Sequence, residues 1–166
     1  MEKRLRIIVC GVGFGQFYIR AIDKIKCKYK LVGILSRGSE WSKQWTKKYG
    51  VILYTDIDEI TKENVDVVCV VIKSTVVNGE GSTIVHSLLE KGINVIQEHP
   101  IDIDDYIMCI KIAQKNCCMY RLNTFYPQLS NVKQFIFLAG KLREKNDVQY
   151  INAECSVHVL FPLIDI

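Results

Sequence analysis

The stretch LRIIVCGVGFGQFYIRAI, residues 5–22, decides the fold. Its first six residues are mostly apolar and β-branched, which predicts a strand. Gly11, Gly13 and Gly15 then interrupt the run, and a helical pattern follows from Gln16 to Cys27. A strand that passes through glycines into a helix opens a βαβ unit.

The same alternation continues outward. LVGILS, residues 31–36, reads as a second strand. A helix over residues 40–49 is capped by Ser39 and stopped by Gly50. VDVVCVVI, residues 65–72, is apolar at nearly every position, as a central parallel strand buried on both faces must be. A helix over residues 83–91 stops at Gly92, and INVIQE, residues 93–98, forms the next strand. Asp102 caps a helix that reaches Lys115, CCMYRLN (117–123) supplies a further strand, and residues 130–144 are helical. A last strand is expected near residues 148–160, leading into FPLIDI. The fold class this predicts is α/β, a Rossmann-type parallel sheet with helices on both faces.

Composition narrows the function classes. A chain of 166 residues, 49% hydrophobic, can form one domain with a real core, or one domain and the start of another. The 22 Lys and Arg against 18 Asp and Glu leave a scattered net charge of +4, too little to argue for nucleic acid. Residues 65–72, the longest apolar run, are broken by Asp66 and fall far short of a membrane span. The basic N-terminus superficially resembles a leader peptide, but its apolar run meets glycine after six residues. A cytoplasmic protein is expected. The seven cysteines are odd in number, lack any Cys-x-x-Cys and include the adjacent pair Cys117 and Cys118; they read as reduced, structural thiols. His86 and His158 have no carboxylate or cysteine at ligand spacing, so no metal site is expected. Trp41 and Trp45, four apart on one helix, read as packing.

The chemistry is expected at the ends of the strands. In the loop formed by Gly11, Val12, Gly13, Phe14, Gly15 and Gln16, Gly11 permits a tight turn and Gly13 lets the backbone approach a pyrophosphate. The following helix offers its free N–H groups to that charge. The third glycine of a dinucleotide fingerprint is due at Gln16 but stands one place early, at Gly15. A bare glycine turn is the plainer alternative. After the second strand come Ser36, Arg37, Gly38 and Ser39, with no acid among them. Arg37 can pair with a 2′-phosphate, which favours NADPH over NADH, unless it is only a solvated loop cation. Lys73, Ser74 and Thr75, then Glu98, His99 and Pro100, then residues 123–127 all follow strands. They are expected to converge on one crevice at the carboxyl edge of the sheet. An acid and an imidazole at Glu98 and His99 can serve a reaction there, or form a polar turn.

A nucleotide-binding half followed by Glu-x-Pro resembles the glucose-fructose oxidoreductase and inositol dehydrogenase superfamily, with His99 where the usual motif has lysine. KSTVVNGEGST (73–83), VIQEHPIDIDD (95–105) and NTFYP (123–127) resemble the thiazolinyl imine reductases of siderophore biosynthesis more closely. That resemblance implies NADPH-dependent reduction of a thiazoline C=N bond to a thiazolidine, on an intermediate tethered to a nonribosomal peptide synthetase carrier protein. It makes His99 and Tyr126 the candidate proton donors and gives Glu98 the nicotinamide end or the ribose to hold. An imidazole titrates near about 6.5 and a phenol near about 10, so His99 is the better tuned of the two. Pro100 is a candidate for a cis bond.

The implied organisation is an NADP-binding domain over residues 1–126. The beginning of an α+β substrate and oligomerisation domain follows over 127–166, its remainder absent, because the sequence stops on an apolar stretch. A homodimer is expected at full length, and these 166 residues alone are expected to bind NADPH weakly and turn over nothing. Two rival readings are a sugar or polyol dehydrogenase of the same superfamily and a non-catalytic NADP(H)-sensing module.

Overall fold

A computed structural model describes residues 3–72 and 79–155. The chain divides into two compact units, Met1–Asn123 and Thr124–Ile166. In the first, strands β1 (Leu5–Cys10), β2 (Tyr29–Leu35), β3 (Ile52–Tyr54), β4 (Val67–Val70), β5 (Asn94–Glu98) and β6 (Tyr120–Asn123) form one sheet. Its order is β3-β2-β1-β4-β5-β6, and every pairing is parallel. Helices α1 (Gly15–Lys24), α2 (Glu40–Tyr49), α3 (Glu80–Glu90) and α4 (Ile103–Lys115) connect the strands. This is the predicted Rossmann-type α/β fold.

Two apolar cores explain the near-continuous hydrophobicity of the central strands. Along β1, Ile7 and Val9 enter one core with Ile19, Ile22 and Trp45 from α1 and α2. Ile8 and Cys10 enter the other with Val85, Leu88 and Cys109 from α3 and α4. The neighbouring β4 divides its residues in the same way, with Val68 and Val70 on one face and Cys69 on the other. Alternate residues of a strand point to opposite faces, so a strand covered on both sides must be apolar throughout. Each fully buried Ile or Val contributes about 1.5–3 kcal/mol relative to exposure.

Local signals set several boundaries. The Ser39 side chain accepts from the Ser42 amide at the start of α2, and Gly50 closes that helix at φ +62. Asp102 accepts from the Asp104 amide and starts α4. Trp45 stacks on Tyr49 at 5.6 Å and is buried, while Trp41 is exposed. All seven cysteines are free thiols. Burial pushes Cys10 and Cys69 up to about 12, which leaves them inert at neutral pH.

Other boundaries differ from expectation. Helix α1 ends at Lys24, not Cys27, because the chain turns through residues 25–28 to enter β2, with Lys28 N–H donating to Ile25 O. Strand β3 is an additional edge strand of three residues, packed beside β2, where the Tyr54 ring crosses Gly33. Helix α3 starts at Glu80, three residues early. Strand β6 starts only at Tyr120, because Cys117, at φ +52, and Cys118 turn the chain out of α4. The last strand is not formed over residues 148–155, and its remainder, with His158, lies outside the described residues. The second unit holds a short 3-10 turn, Tyr126–Gln128, and helix α5 (Ser130–Arg143). No helix among the described residues is long and apolar enough to cross a membrane.

A polar clasp fixes the entry of the two central strands. Arg6 donates Nε to Asp66 Oδ2 at 3.1 Å, and its Nη2 to Oδ1 at 2.8 Å, and its amide reaches Oδ2 at 2.7 Å. The Asp66 amide returns a bond to Arg6 O at 2.9 Å. This bidentate bonding holds the Asp66 carboxyl down at about 2 from an ordinary 3.8. A depressed carboxylate stabilises the fold above its unfolded value and stops doing so as pH falls through the folded one. Stability to urea is therefore expected to fall between about pH 4 and pH 2 in the wild type. Asp66→Asn should be less stable at neutral pH and show a flatter profile across that window.

Candidate active site

The topology places a crevice where the sheet order reverses, between β1 and β4. A cavity of about 610 Å³ opens there, lined by Cys10, Gly11, Ser36, Arg37, Ile72 and Glu80 among others. Its size falls within the roughly 300–1,000 Å³ of small-molecule sites. Gly11 adopts φ +88, and a Cβ on it would stand 3.0 Å from Val71 O, so both backbone and space demand glycine. A Cβ on Gly13 would meet nothing within 4 Å, which leaves that backbone open to approach. A Cβ on Gly15 would stand 3.0 Å from Val9 Cγ1. Gly15 thus serves the helix-against-strand packing expected of the third fingerprint glycine, one residue early. Gln16 instead closes the loop, donating Nε2 to Gly13 O at 2.9 Å. Val12 is buried and Phe14 exposed, its ring 5.0 Å from that of Phe17.

These residues fit a dinucleotide. The N-terminus of α1 has Phe14 as its cap residue, with no side-chain cap bond and no acid in the first turn. Its N–H groups and positive end can therefore receive a pyrophosphate.

At the end of β2, Gly38 takes φ +79 and donates its amide to Ser36 Oγ at 3.3 Å, while Ser39 is occupied as the α2 cap. Arg37 does not stand alone. It donates Nε to Glu80 Oε1 at 3.2 Å and Nη2 to Oε2, so both carboxylate oxygens are engaged. The Arg37 guanidinium holds the Glu80 carboxyl below the usual carboxylate range. The acid missing from residues 36–39 is thus supplied from 43 residues further on, by the first residue of α3, which had no site role in the sequence reading. Lys73, Ser74 and Thr75 lie outside the described residues.

The second cluster lies at the carboxyl ends of β5 and β6. Tyr18, on α1, donates to Glu98 Oε2, and Asn123 donates Nδ2 to Tyr18 Oη and to Glu98 Oε2, the latter at 3.1 Å. Burial first, then the bond to Glu98 and its charge, push the Tyr18 phenol up; Tyr18 remains a donor. His99 places Nε2 3.6 Å from Glu98 Oε1, and the two side chains are 13% and 15% exposed. The His99-Pro100 bond is cis. The arrangement can hold a carboxylate rigidly beside an imidazole, which can give or take a proton. Tyr126 belongs to the second unit, where its ring packs edge-on to Phe125 at 5.6 Å. Tyr18 carries no sequence signal: it is a tyrosine within a helix, 80 residues from Glu98. No group of three or more potential metal ligands occurs among the described residues.

No curated protein matches the chain in sequence. Solved structures match its fold. GenD2 from gentamicin A biosynthesis, in complex with NAD, is 17% identical with a TM-score of 0.74, covering 86% of this chain and 41% of its own. Scyllo-inositol dehydrogenase from Lactobacillus casei, with bound NAD(H) and scyllo-inositol, is 21% identical with a TM-score of 0.72, covering 85% and 42%. The WlbA dehydrogenase from Bordetella pertussis, in complex with NADH and UDP-GlcNAcA, is 16% identical with a TM-score of 0.71, covering 86% and 42%. The chain therefore spans about two fifths of the length of these structures. Residues 5–124 match the GFO/IDH/MocA oxidoreductase family with its NAD-binding Rossmann fold, and to that family the chain belongs.

Proposed function

We propose that the protein is an NADPH-dependent reductase of a thiazoline C=N bond, acting on a siderophore intermediate tethered to a nonribosomal peptide synthetase carrier protein. One observation carries this reading. An imidazole, His99, stands where the superfamily motif usually has lysine, beside a carboxylate that Tyr18 and Asn123 hold in place. When bound, the dinucleotide supplies the hydride to carbon. His99 supplies the proton to the ring nitrogen, and Glu98 orients the imidazole through its Oε1. Tyr126 is the second proposed donor. Gly11, Gly13 and the α1 N-terminus hold the pyrophosphate, while Ser36, Arg37, Gly38 and Ser39 surround the adenine ribose. Lys73, Ser74 and Thr75 complete the proposed cofactor contacts. A cytoplasmic homodimer, with residues 127–166 beginning its substrate domain, belongs to the same proposal.

A second reading is favoured by the structural likeness to scyllo-inositol dehydrogenase and WlbA. There a sugar or polyol hydroxyl is oxidised, and His99 takes the proton. The same imidazole serves either direction, so the substrate discriminates the two. NADPH absorbance is expected to fall when the full-length protein, with its substrate domain, meets a thiazoline, free or on its carrier, and to fall more slowly with NADH. Reduction of NAD+ by a polyol, with no response to thiazoline, would replace this reading by the second.

His99→Gln should lower kcat by about 10²–10⁴-fold and leave NADPH affinity unchanged. An unaltered kcat in the variant would remove His99 from proton transfer.

A further inference from the structure

Among the described residues, three charged side chains line the cavity at the ends of β1 and β2. Asp56 accepts from the Asp58 amide through Oδ1 at 2.9 Å. Arg37 and Glu80 are committed to each other in a two-point ion pair. The Arg37 side chain is 83% exposed and that of Glu80 47%, so solvent screens the pair and it exchanges readily. A guanidinium fork matched to one carboxylate cannot offer the same edge to a phosphate. A 2′-phosphate carries about −1.5 to −2 charges near neutral pH, more than a carboxylate. It can displace Glu80 from that edge or take the remaining Nη edge beside the paired carboxylate, and in either place it lies near the negative charge of Glu80. A cofactor without that phosphate leaves the pair intact, and a carboxylate in this place can accept from a ribose hydroxyl.

We propose that Glu80 is a cofactor-selectivity residue, which narrows the preference for NADPH over NADH by competing with the 2′-phosphate for the guanidinium of Arg37. The inference rests on reading this cavity as the adenine-ribose end of the dinucleotide site. It reassigns the determinant of selectivity: Arg37 attracts the phosphate, and Glu80 limits how much that attraction is worth.

Calorimetric dissociation constants for NADP+ and NAD+ test it, measured on the wild type, Glu80→Gln, Arg37→Gln and the double variant. Glu80→Gln is expected to tighten NADP+ by about three- to tenfold and to leave NAD+ unchanged or slightly weaker. Arg37→Gln should lose the preference for NADP+, and adding Glu80→Gln to it should change nothing further. Both positions are exposed, so neither substitution disturbs the core. An equal effect of Glu80→Gln on the two nucleotides, or a benefit that persists without Arg37, would overturn the role of Glu80 alone. Failure of the wild type to bind either nucleotide would overturn the cofactor reading of the cavity and this inference with it.

Discussion

Helix α1 packs closely on the sheet at Gly15, where there is no side chain. A Cβ there would press on Val9 at 3.0 Å, in the middle of a strand whose residues are buried on both faces. The rest of the site depends on that contact. The helix that packs there places Ile19 and Ile22 in one core, begins at the nucleotide loop and carries Tyr18. Tyr18 then meets Glu98 and Asn123 from two other strands. One helix thus joins the nucleotide loop to the polar cluster at the end of β5. Interiors packed as densely as crystals transmit small changes.

Features legible in the sequence were those decided by nearby residues. Strand β1, helix α2 and helix α4 begin and end where a cap, a glycine or an apolar run places them. Gly11 was readable because a left-handed turn between strand and helix leaves glycine as the ordinary choice. Gly15 looked misplaced against a motif, yet its packing role survives a shift of one residue, since the motif summarises a contact and not a number. What escaped detection depends on distant partners. Glu80 lies 43 residues from Arg37 and Tyr18 lies 80 from Glu98, and no periodicity records either meeting. Strand β3 has three residues and is held by pairing with β2 and by Tyr54 against Gly33, so its local signal was too short. In the sequence Asp66 interrupts an apolar run, and in the structure it stands just before β4 and binds Arg6.

The two polar clusters differ in a way that suits different work. Glu98 is largely buried and its carboxylate is bonded by two side chains from separate elements. Moving it would strand buried donors, and the cost of unsatisfied buried groups keeps such a network in one arrangement. A reacting centre needs that fixity, because proton transfer depends on distances held to fractions of an ångström. Arg37 stands mostly in water and Glu80 about half, where partners exchange at little cost. A site that distinguishes two cofactors by one phosphate needs a partner that can leave. Under the proposed function, the cluster around Glu98 would be rigid where a proton moves and the Arg37–Glu80 pair exchangeable where a phosphate is recognised, a division that follows burial. The same guanidinium sunk to the depth of Glu98 would instead lock its carboxylate in place, because separating a buried pair leaves an uncompensated charge out of water.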